Sequence, residues 1–326
     1  MVINSNQDIK WRQGAELPLG RGSYASGIVE GRLILAGGTY WRQDRKQWLD
    51  ETVAYEIGRD RWTQIARLPK PLAYGAGVVW RDELYYLGGG GPEEAERYGY
   101  RLRNKAGNYA WEGFTELPRG FAVGAAQILD NRLYLIGGAG AKLETTSPAV
   151  FSLNLSDSSS VWRSLEPIPG PGRALMASAV CASHIFIFGG MAFDTDGQRV
   201  NLRSAWRYSP GLNEWRRLRD VPIATRAWSA SAGKHGYIYL LGGYSDSSYE
   251  SSGNESPGGR PEGQFVNRVW RYDTQKDEYL ELNPLPHALC DVSFHPYRQA
   301  LYGAGGEPGP KMRAPWTFIG EIGQAE

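Results

Sequence analysis

The stretch LILAGG at Leu33–Gly38, an apolar run closed by two glycines, returns five more times along the chain. LYYLGG ends at Gly89, LYLIGG at Gly138, IFIFGG at Gly190, IYLLGG at Gly243 and LYGAGG at Gly306. The pairs fall about fifty residues apart, and self-similarity at that period means like supersecondary units in succession rather than one irregular core. Six occurrences predict six units.

Each unit reads in the same order. In the fourth, a small-residue strand (ALMASAV, 174–180) precedes the apolar strand HIFIFGG, which is followed by a loop, SAWRYS and EWRRLRDVP. This is the pattern of four antiparallel strands per unit, and with a period near fifty it predicts an all-β, six-bladed kelch propeller. The glycine pair suits a backbone that takes positive φ and passes close to the next blade. Trp62, Trp111, Trp162, Trp215 and Tyr279 follow the glycine pairs at similar distances and are expected to pack between blades. The sixth unit stops after its third strand, PWTFIGEI, whereas the chain opens with KWRQGAELP, which reads as a fourth strand. The N-terminal strand is therefore expected to complete the last blade and close the ring, which leaves no long sheet edge exposed. Residues 1–326 are read as one propeller domain.

The charge balance, 36 basic against 35 acidic residues without long like-charge runs, lacks the basic stripe of a nucleic-acid binder. No apolar stretch is long enough to span a bilayer, and the start MVINSNQDIKWRQ lacks the apolar run of a secretion signal, so a cytoplasmic protein without membrane partners is expected. Cys181 and Cys290 fall in the first strands of units four and six, which are not neighbours, so they are expected to be unpaired small core residues. His184, His235, His287 and His295 show no metal-ligand spacing, and no metal or other cofactor is expected.

Strand parity places the loop after each second strand and the loop before each first strand on one face. Arg21, Arg173 and Arg226 sit just before first strands, and Arg119 is placed similarly. They are expected to ring the channel mouth, where guanidinium forks suit a carboxylate or phosphate, although each could instead pair with a neighbouring blade. Two loops on that face are long. The first unit's carries Tyr40, Trp41 and Trp48, aromatic faces for a sugar; the fifth unit's runs over 244–268 and reads as a lid or a mobile excursion.

The chemistry-bearing pattern is GGEPGPKMR in unit six, which places Glu307 at the end of the second strand and Arg313, six residues on, at the start of the third. A carboxylate held against an arginine can serve as an acid/base group beside an anion site, or form a structural ion pair. This segment resembles the kelch-type sialic acid mutarotases (N-acetylneuraminate epimerases), whose site is marked by Gly-Glu with Arg six residues on. WRYSPGLNEW of unit four, the long insertion of unit five and the motif of unit six follow the family's succession of blades, and AYGAGVVWRDELYYLGG of unit two resembles its last blade, so the resemblance implies a circular permutation by two blades.

The resemblance implies an isomerase of carbohydrate metabolism that interconverts the anomers of N-acetylneuraminate or a related acidic sugar. Exchange at the hemiketal carbon needs a proton removed from the hydroxyl and one delivered to the ring oxygen. Glu307 would shuttle protons, Arg313 would hold the sugar carboxylate, and Arg21, Arg173, Arg226, Arg119, Trp41 and Trp48 would assist binding. Two rivals stand beside it: a kelch platform that binds a sugar or protein without reaction, and a copper radical oxidase, for which no suitable set of tyrosines, histidines and cysteine converges near His287 and Cys290.

Overall fold

A computed structural model describes residues 9–91, 94–140, 144–245 and 263–323. Among them lie six four-stranded antiparallel sheets, five of them made of strands close in sequence. Their first strands are Ala25–Val29, Ala76–Trp80, Ala125–Leu129, Ala177–Cys181, Ser229–Ala232 and Phe294–Tyr297. The sixth sheet takes its outer strand from the start of the chain: Ile9–Gly14 pairs antiparallel with Thr317–Ile322. Of the fifth unit's long loop, 246–262, expected as a lid or mobile excursion, lies outside the described residues; Tyr244–Ser245 pairs with Gln264–Phe265 at its base.

The second strand of each unit is a nearly unbroken apolar run because both its faces are covered. Leu33, Ile34, Leu35 and Ala36 are all fully buried, and a strand buried on both sides loses the usual polar alternation. The core is accordingly divided into six clusters, each shared by two successive sheets. One joins Leu33, Val53 and Tyr55 of the first unit to Tyr302, Ala304 and Ile319 of the sixth; another joins Phe186 and Phe188 of the fourth to Ile238, Leu240 and Tyr272 of the fifth.

The glycine pairs make the closest approach between units. The second glycine donates its N–H to a carbonyl just ahead of the next unit's first strand: Gly38 to Leu72 at 2.8 Å, Gly89 to Phe121 at 2.7 Å, and so on to Gly306, which donates to Arg21 at 2.9 Å. The first glycine faces the same carbonyl, and a Cβ on Gly88 would stand 2.0 Å from Phe121 O. Both glycines of that pair have positive φ, so packing and backbone conformation each require glycine here.

The aromatic residues expected between blades are found there, and each reaches the preceding unit with its polar atom. Trp111 Nε1 donates to Thr52 Oγ1 at 2.8 Å, Trp162 Nε1 to Glu116 O at 2.9 Å and Trp215 Nε1 to Glu166 O at 3.0 Å. Tyr279 Oη donates to Arg219 O and Trp62 Nε1 to Ala15 O, both at 3.0 Å. Each ring thus adds a hydrogen bond of about 1 kcal/mol to its share of buried apolar surface.

Both cysteines are free and buried. Cys181 ends the fourth unit's first strand, but Cys290 precedes the sixth unit's and forms an isolated bridge with Glu307. The first-strand placement expected for Cys290 fails because Asp291, with φ of 60°, breaks the strand before it can extend that far.

Candidate active site

Ahead of each first strand stands one residue in the left-handed region: Ser23, Tyr74, Val123, Leu175, Ala227 and Asp291. Their backbones form a relay. Tyr74 N donates to Ser23 O, Val123 N to Tyr74 O, Leu175 N to Val123 O, Ala227 N to Leu175 O and Asp291 N to Ala227 O, each at 2.8 Å. Between Asp291 and Ser23 a side-chain bond takes over, with Ser23 Oγ donating to Asp291 Oδ2. These six residues line one end of a cavity of about 500 Å³ whose walls are the first strands of all six sheets, a volume suited to a small ligand.

The end is polar on one side only. Ser23, Tyr74 and Asp291 face Val123, Leu175 and Ala227 across it, and Asp291 is the cavity's carboxylate among the described lining residues. Farther along the wall, His295 Nε2 lies 2.8 Å from Ser26 Oγ, and burial pushes its pKa down to about 4, which keeps the ring neutral.

Glu307 and Arg313 meet as the sequence spacing suggests. Arg313 Nη1 is 2.8 Å from Glu307 Oε2, with the arginine side chain 4% and the glutamate 24% exposed. The pair is pinned from both sides. Glu307 exchanges backbone hydrogen bonds with Cys290 at 2.8 and 2.9 Å, and Arg313 Nε and Nη2 donate to Thr39 Oγ1 of the first unit at 3.3 and 3.1 Å. A Cβ on Gly22 would lie 2.9 Å from Arg313 Nε and 3.0 Å from Asp291 Oδ2, so the guanidinium and the cavity carboxylate flank one glycine. Glu307 and Arg313 are not in the cavity lining itself.

Burial pushes the Glu307 carboxyl up; Arg313 opposes this and the Asp291 charge adds to it. Asp291 is likewise raised by burial, against Arg313 and the Ser23 hydrogen bond. Two carboxylates sharing one guanidinium hold their protons more firmly than either would in water.

The Trp41 and Trp48 segment forms a hairpin of Thr39–Arg42 and Arg45–Trp48 rather than a loop. Trp48 pairs with Thr39, the residue that receives Arg313, and the Trp41 ring carries Lys46 Nζ at 5.2 Å and Lys311 Nζ at 5.8 Å. Lys46 reaches back to donate to Tyr74 Oη at 2.8 Å, and its charge acts on both Asp291 and Glu307.

The other arginines are placed differently. Arg21 and Arg173 are 1% exposed and absent from the cavity lining. Arg21 donates to Gly37 O and Glu51 O at 3.5 and 3.4 Å and to Glu51 Oε2 at 3.2 Å; Arg173 donates to Gly189 O, Ser204 O and Ser204 Oγ at 3.3, 3.1 and 2.8 Å. Both therefore tie the glycine turn of their own unit, instead of turning inward to a ligand. Arg119 bonds Gly137 O and lies two residues ahead of the Arg21 register. Arg226 lies one residue beyond it, bridging Tyr244, with Nη1 2.6 Å from Asn201 Oδ1 and its guanidinium 4.4 Å from the Tyr244 ring. Arg173→Met is expected to cost about 1–3 kcal/mol, since buried carbonyls lose their donor, while leaving catalysis unchanged. Chemical unfolding and a rate assay on the same preparation check this, and lost activity in a stably folded variant would return Arg173 to the site.

Sequence reading missed Asp291, Lys46, Tyr74 and Thr39. Asp291 carried a signal: it is the acidic member of a register otherwise filled by Ser, Tyr, Val, Leu and Ala. Alignment of the units on their glycine pairs shows that register in five of them, with Ala227 of the fifth unit one residue out. Among the described residues no three of His, Cys, Asp and Glu come together as metal ligands.

A family model for N-acetylneuraminate epimerase matches residues 114–256. The chain is similar to the N-acetylneuraminate epimerases. The protein of that name from Haemophilus influenzae (strain PittEE) is 28% identical over 93 residues, 28% of this chain and 25% of its own length. N-acetylneuraminate epimerase 1 of Escherichia coli O6:H1 is 23% identical over 193 residues, 53% of this chain and 51% of the relative. A kelch domain-containing protein of Vibrio cholerae is 28% identical over 146 residues, covering 44% of this chain and 37% of that protein. This chain thus spans from a quarter to about half the length of these relatives, and the family match ends before Glu307 and Arg313.

Proposed function

We propose that the chain is a single six-bladed kelch propeller, closed by its N-terminal strand, that interconverts the anomers of N-acetylneuraminate or a related acidic sugar. The closed ring is supported by the pairing of Ile9–Gly14 with Thr317–Ile322 and by the Gly306-to-Arg21 hydrogen bond. The observation that carries the function is the Glu307–Arg313 ion pair at 2.8 Å, set beside a cavity carboxylate where the six sheets converge. The family resemblance supplies the substrate class.

Glu307 is the proton shuttle in this reading. Arg313 departs from the role implied by the resemblance: four of its five N–H donors go to Glu307, Thr39 and Met312, so it orients Glu307 and opposes the rise that burial gives its carboxyl rather than grasping the sugar carboxylate. Lys46, on the hairpin beside the same end of the cavity, supplies the cation for that group. Positioned acid/base help of this sort contributes about two to four powers of ten, enough to matter for a reaction that already runs slowly in water.

The test is one- and two-dimensional NMR of N-acetylneuraminate anomers, watched after one anomer is released or selectively labelled by saturation. The protein is expected to accelerate exchange in proportion to its concentration. Exchange at the buffer rate contradicts an enzyme and leaves the kelch binding platform as the reading.

A further inference from the structure

We propose that Asp291 is a second catalytic residue, the acid that works beside Glu307 at one end of the axial cavity. This rests on the mutarotase reading above. Three observations carry it. Asp291 is the carboxylate in the described lining of a cavity of about 500 Å³. It occupies the left-handed position, with φ of 60°, that its counterparts fill with Ser, Tyr, Val, Leu and Ala. Its Oδ2 and Arg313 Nε lie 3.0 and 2.9 Å from a Cβ position on Gly22, so it shares with Glu307 the field of one guanidinium.

Anomer exchange has two proton positions, the anomeric hydroxyl and the ring oxygen, both on the reacting carbon. Two neighbouring carboxyl groups can divide them. Glu307 takes the hydroxyl proton while Asp291 gives its proton to the ring oxygen. The ring carbon–oxygen bond breaks, leaving a ketone and a free hydroxyl. After rotation about the bond to the ketone carbon, Asp291 recovers its proton as the hydroxyl oxygen attacks the other face, and Glu307 returns its proton to the former ketone oxygen. Both groups end as they began. Burial raises Asp291 in the direction that holds a proton for delivery.

The polar and apolar halves of the cavity end orient the ligand for this. A sugar whose ring oxygen faces Asp291, Ser23 and Tyr74 would turn its less polar edge toward Val123, Leu175 and Ala227.

Asp291→Asn tests the role. Asparagine accepts the left-handed backbone and can still accept from Ser23 Oγ, so folding is expected to persist, while the accelerated part of the exchange rate falls by about 100-fold or more and the KM moves little. Thr317→Val removes hydrogen bonds that join the sixth and first units, to Ala15 O and from Trp62 Nε1, and lies outside the cavity lining; it should lower the unfolding midpoint and leave most of the acceleration. Asp291→Asn with near-normal acceleration overturns the proposal, as does Thr317→Val losing as much as Asp291→Asn, because the aspartate would then serve only the junction of the two units. Should Asp291→Asn not fold, Asp291→Ser replaces it, since Ser23 holds the same left-handed position in the first unit; it is expected to fold and lose most of the acceleration with the carboxyl, and full activity there overturns the proposal. Unmodified protein without acceleration would take down the mutarotase reading and this role with it, whereas acceleration surviving Asp291→Asn takes down this role alone.

Discussion

Glu307→Gln is expected to fold and to lose the acceleration of N-acetylneuraminate anomer exchange by about two to four powers of ten. Glutamine keeps the size of the side chain and an oxygen that can still accept from Arg313, so the seam to Thr39 survives. It removes the one property the mechanism uses, an oxygen able to take up and release a proton. It also takes the counter-charge from the Arg313 guanidinium, 4% exposed, and leaves Asp291 as its neighbouring carboxylate, so the variant is expected to fold with a lowered unfolding midpoint. NMR exchange rates for the variant and the parent at equal concentration decide the matter, with a thermal scan to show that both are folded. Full acceleration by the variant would remove Glu307 from the chemistry.

Gly88→Ala is the second large effect, on stability rather than rate. At φ of 65° a Cβ costs about 1–2 kcal/mol, and it would also stand 2.0 Å from Phe121 O, backbone that cannot swing away as a side chain could. Moving that carbonyl breaks the hydrogen bond it accepts from Gly89 N at 2.7 Å, so the total is expected to reach about 3 kcal/mol or more. Gly107→Ala is the control. It too has positive φ, at 90°, but nothing lies within 4 Å of its Cβ position, and its cost is expected to stop near about 1 kcal/mol. Denaturant midpoints separate the two; equal losses would mean that the approach of the next unit is not what demands the glycine.

The parts of the fold legible in the sequence were those that every unit must repeat. A glycine pair is needed wherever one backbone abuts the next, and an aromatic with a polar tip is needed wherever a sheet reaches back to its neighbour, so Trp111, Trp162 and Trp215 announced their packing between units by period alone, though not their hydrogen-bond partners. The site was legible only in part, because a site is where units stop being alike. Glu307 and Arg313 stood out as a charged hairpin in a position held elsewhere by Thr39, Gly90, Ala139, Met191 and Tyr244. Asp291 did not, since its importance depends on a left-handed turn that pattern reading cannot place to the residue.

The arginines show the opposite error. Arg21, Arg173 and Arg226 look equivalent in sequence, yet the hydrogen bonds from Gly306, Gly138 and Gly190 end on Arg21, Arg173 and Thr225. Arg226 is therefore one residue out of register, and a shift of one turns a side chain to the other face of an extended backbone. The carbonyls exposed by each glycine turn need donors, and Arg21 and Arg173 meet that need from inside their own unit. Sequence position told where their Cα atoms lie and nothing of which group would claim the guanidinium.

The most direct test of the account is a crystal structure of the protein with N-acetylneuraminate bound. The sugar is predicted to lie in the axial cavity at the end lined by Ser23, Tyr74 and Asp291, with its anomeric hydroxyl within hydrogen-bond reach of Glu307. Sugar density on the outer face of the sheets, or in the cavity but out of reach of both Glu307 and Asp291, would contradict it.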